Sequence, residues 1–391
     1  MSPPPRPAAS SPSLLANVLI VTTVTLFAAY LTKQGCFALG IGESFYCHSD
    51  MGGIYIDRQL AGGRFPYLAA PLEYPVGLGL ILWLAAAVTT SVVSFVRVNM
   101  AIVAIASMVT SGILWRHAGR RAMLFAAAPT LAIYAFLNWD MLAVVFAVAA
   151  VCVFVRRRDA SAGLLVGIGA AIKVFPALLL LPMAAERWRD GERSSAWRIV
   201  LAAAAPLVLL NVPVAWVSFD GWAHFFHFNS ARPVDWGTLW SVGCQTFGDG
   251  LCGNLPLVNA LSSSLFLAGG TIAWWLVTRT APNIPRWQLG FPLMVIFFLT
   301  NKVYSPQYSL FILPWFVLAL PSLRLFLAYE AIDIGIYVTS FAWQEHLEGS
   351  GGLPLWPLNL FIVLRAALLI LMLVVFARRA AGSKVVLVNQ T

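Results

Sequence analysis

Apolar runs of roughly 16–25 residues recur along almost the whole sequence, each close to the ~20 helical residues that cross a ~30 Å hydrocarbon layer. The first runs from Leu14 to Leu31. The others are read at 76–96, 98–115, 122–137, 139–155, 160–184, 197–217, 256–278, 288–303, 307–322, 324–342 and 356–377. This pattern predicts about 12 spans, within roughly 10–13. The runs are continuous rather than alternating, which argues against an outer-membrane barrel and for an all-α, polytopic membrane helical bundle. Composition agrees: 60% of the 391 residues are hydrophobic and 10% are charged, against ~25% charged in an ordinary soluble domain. No stretch reads as a large water-soluble domain.

Residues 1–13, rich in Pro, Ser and Ala, read as a disordered lead. Leu14 to Leu31 lacks a convincing small-x-small cleavage site, so it is expected to be retained as the first span. A single transmembrane domain is expected over 14–378, with 379–391 as a cytoplasmic tail. Two hydrophilic segments, 32–75 and 218–255, are too long for simple turns. An inside N-terminus places 32–75 outside. Alternation then places 185–196 and 279–287 inside, and 218–255, 304–306 and 343–355 outside.

The net charge of +9 is spread over short clusters at Arg116, Arg120 and Arg121, at Arg156 to Arg158, at Arg187, Arg189, Arg193 and Arg198, and at Arg378 and Arg379. Clusters between apolar runs are the mark of positive-inside anchoring against anionic lipid. The partners implied are membrane lipids, and no nucleic acid. Two basic loops, 116–121 and 156–159, fall outside on simple alternation. Both return inside if 160–184 is a pair of half-helices broken near Lys173 and Pro176 and one run within 76–115 does not cross.

Cys36 and Cys47 lie in the first long loop, Cys244 and Cys252 in the second, and Cys152 is alone in a span. Two pairs confined to outward loops suggest disulfides in an oxidising compartment; five unrelated thiols are the alternative. No CxxC, HExxH or clustered His set occurs in the sequence, so no protein-bound catalytic metal is expected.

The stretch CHSDMGGIYIDRQLAGGRFPYLAAPLEYPVG, residues 47–77, sets Asp50, Asp57, Arg58, Arg64 and Glu73 among Tyr55, Phe65, Tyr67 and Tyr74. Aromatic faces stack on sugars, carboxylates accept from hydroxyls, and guanidinium groups pair with phosphate. Interfacial anchoring is the plainer reading of any one of these residues. NKVYSPQYSLFILP, residues 301–314, carries Lys302 and Gln307 at a joint between apolar runs. Lys302 is either a phosphate-holding ammonium or a snorkelling lysine. Lys173 interrupts GIGAAIKVFPALLLLP, residues 167–182, as a functional candidate or a helix-break lysine at the water boundary. Asn138 and Asp140 in FLNWDMLAV form either a hairpin turn or part of a cavity. Glu330 and Asp333 share a helix face as a proton relay or a solvated helix end. His224, His227 and Arg232 lie in the aromatic stretch WAHFFHFNSARP, where Arg232 is a further phosphate candidate. Gly163 and Gly167 match a helix-packing spacing.

The ordered series SDM…IY, PYL…LEYPVG, NWD, GIGAAIKVFPALLLLP and NKVYSPQY, over roughly residues 45–315, resembles the actinobacterial polyprenol-phosphate-mannose-dependent α-(1→2)-mannosyltransferases of the GT-C fold. The resemblance implies a plasma-membrane enzyme with its site on the outer, periplasmic face. It would move mannose from a lipid monophosphate to an envelope glycolipid, of the phosphatidylinositol mannoside or lipomannan kind. It also implies that Asp50 is the catalytic base. Asp57 sits beside Arg58, and Glu73 precedes Tyr74–Pro75 at the start of a span; Asp50 has no adjacent cation and no obvious cap.

The chemistry is coherent with these residues. In-line attack by an acceptor hydroxyl on a β-linked sugar phosphate inverts it to an α-glycoside. A carboxylate takes the hydroxyl proton, and an Asp with an ordinary pKa of about 3.9 is ionised and ready. Lys302, Lys173 or Arg64 would stabilise the leaving phosphate; Glu73, Tyr74, Tyr67, Asp140, Gln307 and Arg232 are the remaining substrate-binding candidates. No cofactor and no metal requirement are expected. Alternatives are the same fold acting on a polyprenyl-phosphate arabinose or glucose, and a secondary transporter or lipid flippase. Transporters concentrate polar residues at the midplane of repeat-related helices; here they concentrate in the first long loop, and no halves repeat.

Overall fold

A computed structural model describes residues 12–38, 47–248 and 250–382, and their regular structure is helical throughout. The first half contains α1 (Pro12–Ala38), α2 (Asp50–Asp57), α3 (Val76–Ala87), α4 (Val92–Ala118), α5 (Met123–Ala126), α6 (Pro129–Tyr134), α7 (Asp140–Val155), α8 (Asp159–Ile172) and α9 (Leu180–Arg189). The second contains α10 (Arg193–Val217), α11 (Phe219–Ala231), α12 (Leu239–Phe247), α13 (Leu255–Thr280), α14 (Gly290–Thr300), α15 (Leu313–Leu318), α16 (Leu323–Leu347) and α17 (Trp356–Gly382). The described residues contain 6 helical stretches long and apolar enough to cross a membrane: Leu14–Lys33, Val92–Ala126, Arg193–Val217, Leu255–Thr280, Leu323–Leu347 and Trp356–Gly382. The chain is a multi-pass membrane protein.

The other apolar runs fold as shorter pieces, for local reasons. The run read at 76–96 divides at Thr89–Thr90–Ser91. There the Ser91 side chain accepts from the Ser94 backbone, the Ser94 side chain answers to Ser91, and α4 starts from that capping box. The run at 122–137 is divided by Pro129, which cannot donate to a preceding turn and opens α6 instead. The run at 160–184 breaks where expected. Lys173 is extended (φ −146°, ψ 137°), and Pro176 lies in the 3-10 turn that follows. The 12-residue α3 is too short to cross alone. Both conditions that would bring the basic loops 116–121 and 156–159 to one side are therefore present.

Side-chain contacts gather those loops at one end of the bundle. Near their starts, α4 and α7 are joined by Trp139 Nε1, which donates to Asn99 Oδ1 at 2.7 Å. Near their ends, His117 lies within the field of Arg156. Arg157 pairs with Glu192, and Arg189 donates to the Ile284 carbonyl at 3.0 Å. The sequence reading of Arg187 as a lipid anchor is corrected. It is 2% exposed, donates to Asp159 at 2.8 Å and to the Phe154 carbonyl at 2.9 Å, and lies over the Phe154 ring. A buried guanidinium needs such partners, and Arg187 clamps α7, α8 and α9 together.

α8 packs on α10 through Gly163 and Gly167, one helical turn apart. A Cβ on either would stand 2.2 Å from a carbonyl oxygen of α10, of Ile199 and Ala203 respectively, so only glycine permits this approach. The two long hydrophilic segments hold helices of their own: α1 continues to Ala38, α2 follows, and α11 and α12 lie within 218–255. A Cys244–Cys252 disulfide ties the end of α12 to the approach to α13, and Cys152 is free and buried. Cys47 is disulfide-bonded, and the side chain of Cys36 lies outside the described residues. So do the lead before Pro12 and the tail beyond Gly382, although Arg378 and Arg379 continue α17.

Candidate active site

At the opposite end of α7 and α8 from the basic clusters, a cavity of about 840 Å³ opens among α2, the 73–75 and 136–138 segments, the 173–175 break, α11 and the turn after it, the 301–308 segment, and α16. It is large enough for a sizeable ligand. Asp50, Glu73, Tyr74, Lys173, Arg232, Lys302 and Gln307 all line it, so residues up to 257 positions apart (307 − 50) converge on one space. Asp57, Asp235, His48 and Asn138 line it too.

Asp50 is held from several directions. Its backbone N–H donates to the Leu137 carbonyl at 2.9 Å, and the neighbouring Ser49 Oγ donates to the Phe136 carbonyl at 2.8 Å, pinning the start of α2 to the chain just before α7. Asn138 Nδ2 donates to Asp50 Oδ2 at 2.6 Å, and His48 Nε2 lies 3.1 Å from Oδ1. Burial alone would push this carboxyl up. The His48 hydrogen bond and charge, the Asn138 hydrogen bond and the Lys173 charge outweigh it and hold Asp50 below the ordinary carboxylate value. The carboxylate remains 29% exposed, facing the cavity. The sequence elimination that singled out Asp50 is corrected. Asp50 opens α2 after a Ser49 cap and has His48 as a neighbour, so a structural role for it exists as well.

The rivals also change character. Arg58 does not pair with the adjacent Asp57. Its Nε donates to Glu73 Oε2 at 2.8 Å, because the turn after α2 brings 58 and 73 together across the loop. Asp57 lines the cavity without that partner. Tyr74 Oη accepts from Asn138 Nδ2 at 2.8 Å; burial, then the Asp50 charge, push its phenol well above its ordinary value, so Tyr74 stays neutral. Lys173, released from helical geometry by the break, places its ammonium 4.8 Å from the Tyr74 ring centre and 3.6 Å from Asp140. Asp140 is fully buried behind Lys173 and does not line the cavity, so the reading of Asp140 as a substrate contact is corrected to a partner of Lys173.

Two further candidates lie off the cavity. Arg64 is directed to Gln59 Oε1 at 3.2 Å at the exposed surface. Tyr67, in a left-handed backbone conformation (φ 72°), donates to the Tyr74 carbonyl at 3.1 Å and accepts at its own carbonyl from Ser218 at 2.8 Å. It braces the loop against the start of α11, where Gly221 leaves room for that carbonyl.

Two further cations line the cavity. Arg232 reaches Asp235 at 3.0 Å and Ser305 at 3.3 Å, and remains 32% exposed. Lys302 donates to the carbonyls of Ser230 at 3.0 Å and Arg232 at 2.6 Å, which close the end of α11. It is not a snorkelling lysine: it is buried, and burial followed by Arg232 lowers its ammonium from the usual lysine value. Two of its three N–H groups are thereby committed. Gln307 lines the cavity, and its Oε1 is buried with no hydrogen-bond partner among the described residues.

Glu330 and Asp333, 3% and 1% exposed, are not a solvated helix end. Glu330 accepts from the Thr130 backbone at 2.7 Å and the Thr130 hydroxyl at 2.5 Å, capping α6. Asp333 takes Ser309 at 2.9 Å and Arg365 at 3.7 Å, and Arg365 donates in turn to the Gly237 carbonyl at 2.6 Å. The pair anchors segments of the cavity wall. His224 and His227 do not line the cavity, whereas Phe225 and Phe228 of the same helix do. His48, Asn229, Asp235 and Gln344 were not singled out from the sequence, because isolated polar residues in long loops carry no spacing signal. Among the described residues no group of 3 or more His, Cys, Asp or Glu side chains is placed to hold a metal ion.

Among solved structures, the crystal structure of ArnT from Cupriavidus metallidurans bound to undecaprenyl phosphate is similar at 14% identity and a TM-score of 0.48, over 96% of this chain and 78% of that one. No curated protein matches. The profile of glycosyltransferase family 87 matches residues 65–306, more than half of the chain and most of the segments that build the cavity. The chain belongs to glycosyltransferase family 87.

Proposed function

We propose that this glycosyltransferase is an inverting enzyme that moves mannose from a polyprenyl-phosphate donor to an envelope glycolipid, forming an α-mannosidic bond on the outer face of the plasma membrane. One observation carries the reading: an Asp50 carboxylate kept ionised by His48 and Asn138 shares a cavity with Lys173, Arg232 and Lys302. A base and a set of cations are the two things this displacement needs. The acceptor hydroxyl attacks the anomeric carbon while its proton passes to Asp50. The bond from that carbon to the lipid phosphate breaks, and the departing phosphate monoester is met by Arg232, Lys173 and the remaining N–H of Lys302. Proton and electron pair balance without a metal ion. The family membership and the ordered motifs around Asp50, Asn138, Lys173 and Lys302 support this assignment, and mannose follows from the motif resemblance.

The test is transfer by the purified full chain in nanodiscs, with EDTA present. The donors are synthetic polyprenyl-phosphate mannose, arabinose and glucose, and the product anomer is read by NMR. Mannose transferred to a glycolipid with α configuration is expected. Arabinose or glucose transferred instead would replace the donor sugar. No transfer from any lipid monophosphate sugar would contradict the reading.

A further inference from the structure

Arg232 stands where α11 ends. Its backbone N–H donates to the Phe228 carbonyl at 2.8 Å, and Pro233 after it favours the extended conformation that Arg232 adopts (φ −58°, ψ 128°). The chain then runs without helix to Thr238, the cap of α12. On this stretch Asp235 reaches both cations. Its backbone N–H donates to the Lys302 carbonyl at 2.9 Å, its Oδ2 accepts from Arg232 Nη2 at 3.0 Å, and its Oδ1 accepts from the Gly237 N–H at 3.2 Å. All three of Arg232, Asp235 and Lys302 line the cavity. Resting on the transferase reading above, we infer that Asp235 is a positioning residue, which sets the Arg232 guanidinium and the Lys302 ammonium in one register as a clamp for the lipid phosphate.

The turn that carries Asp235 is itself fixed. The Asp235 carbonyl accepts from the Thr238 hydroxyl at 2.7 Å, and the Gly237 carbonyl accepts from Arg365 at 2.6 Å. A Cβ on Gly237 would stand 2.6 Å from the Tyr304 carbonyl oxygen, so here the turn and the 301–305 segment meet backbone to backbone. Arg365 lies over the Tyr304 ring, 3.6 Å from its centre, and pairs with Asp333. The Asp235 carboxylate, 7% exposed, is therefore a firm point of attachment. Lys302 closes the ring: its ammonium donates to the Arg232 carbonyl at 2.6 Å while its own carbonyl accepts from Asp235. Arg232 meets both Asp235 and Ser305 with Nη2, so one corner of its planar fork is tethered, and the side chain stays 32% exposed. An arginine loses rotamer freedom when a ligand immobilises it, and one held in place beforehand loses less. Charge alone argues against an acid at this position. A carboxylate beside an anion site repels the anion, and only a gain in placement offsets that repulsion.

Placement and repulsion therefore predict opposite signs for the loss of this carboxylate. Citronellyl phosphate, a short prenyl phosphate monoester, is titrated by calorimetry into the purified full chain in nanodiscs, with empty nanodiscs as the control. Asp235 uses both carboxylate oxygens, and asparagine has one, so in Asp235→Asn an amide N–H faces a second donor at either Arg232 or Gly237. Asp235→Ser can still accept from Gly237, as serine does in such turns, but does not reach Arg232, so it carries the test where the asparagine variant fails to fold. Each should weaken the probe by roughly fivefold, although each removes a negative charge. Arg232→Ala should weaken it by about tenfold, and adding either Asp235 variant to it should weaken it no further, because the tether then holds nothing. Tighter or unchanged binding in the folded Asp235 variants, a double variant weaker than Arg232→Ala, or no probe binding by the wild type would overturn the assignment. Transfer assays separate the two readings. Sugar transfer by the wild type with probe affinity indifferent to Asp235 sinks the positioning role alone. Probe binding that depends on Asp235 through Arg232, in a chain that transfers no sugar, sinks the transferase reading alone.

Discussion

Asp50 accepts from Asn138 at 2.6 Å and from His48 at 3.1 Å, and both contacts favour its ionised form. The consequence is a pH profile. A base that must be ionised loses activity as pH falls through its pKa, and Asp50 is held below the ordinary carboxylate value, so the acid limb of kcat/KM should lie below the ordinary carboxylate range. In Asn138→Leu one of those hydrogen bonds is gone and the opposing effect of burial gains weight, so the limb should move to higher pH while the fold persists. A limb that stays in place in this variant would remove Asn138 from the account. At this scale the sequence was uneven. Asp50, Lys173 and Lys302 stood out as polar residues in conspicuous contexts. The Arg58–Glu73 pair did not, because it is made by a turn that brings residues 15 positions apart together and leaves no mark in either residue's neighbourhood.

Helices show the same contrast. The break at Lys173–Pro176 was legible, since a charged residue and a proline inside an apolar run both disfavour a continuous helix. The division of 122–137 into short pieces was not, because hydropathy measures apolar content and is blind to the direction in which each turn points. Gly163 and Gly167 were legible as a packing spacing, and their partner helix was not. In Gly167→Ala the new methyl group would stand 2.2 Å from the Ala203 carbonyl, so α8 and α10 must separate. Overpacking of this kind costs about 1–3 kcal/mol. The thermal midpoint of the purified variant in detergent should fall by several degrees; an unchanged midpoint would mean that the two helices do not meet there as described.

Across the whole molecule, charge is sorted between two ends. Arg157, Arg187, Arg189 and Glu192 knot one end, and Asp50 with the cavity occupies the other. Since α7 has 16 residues, its rise puts these ends about 24 Å apart, much of a bilayer's hydrocarbon thickness. Positive-inside bias then predicts an inward basic end and an outward cavity. In intact cells, cysteines introduced at Leu68 and Glu348 should react with an impermeant maleimide, while those at Arg120 and Arg193 should react only after permeabilisation. The opposite pattern would put the cavity in the cytoplasm, away from a lipid-phosphate sugar donor on the outer face. The alternation of apolar runs could not decide this orientation, because it counts crossings and several runs are too short to cross.

The most direct test compares Asp50→Asn with Glu73→Gln in the EDTA-containing transfer assay, with donor KM measured for each. Asparagine keeps the shape and the ability to accept from Asn138 but cannot take the acceptor's proton. General-base assistance is worth ~10²–10⁴ in rate, so kcat of Asp50→Asn should fall by that factor with donor KM near the wild-type value. Glu73→Gln, which loses the charge of an ion pair with Arg58, should lose much less. An Asp50→Asn enzyme that keeps more than about a tenth of the wild-type rate, well above that range, would contradict the account and move the base elsewhere in the cavity.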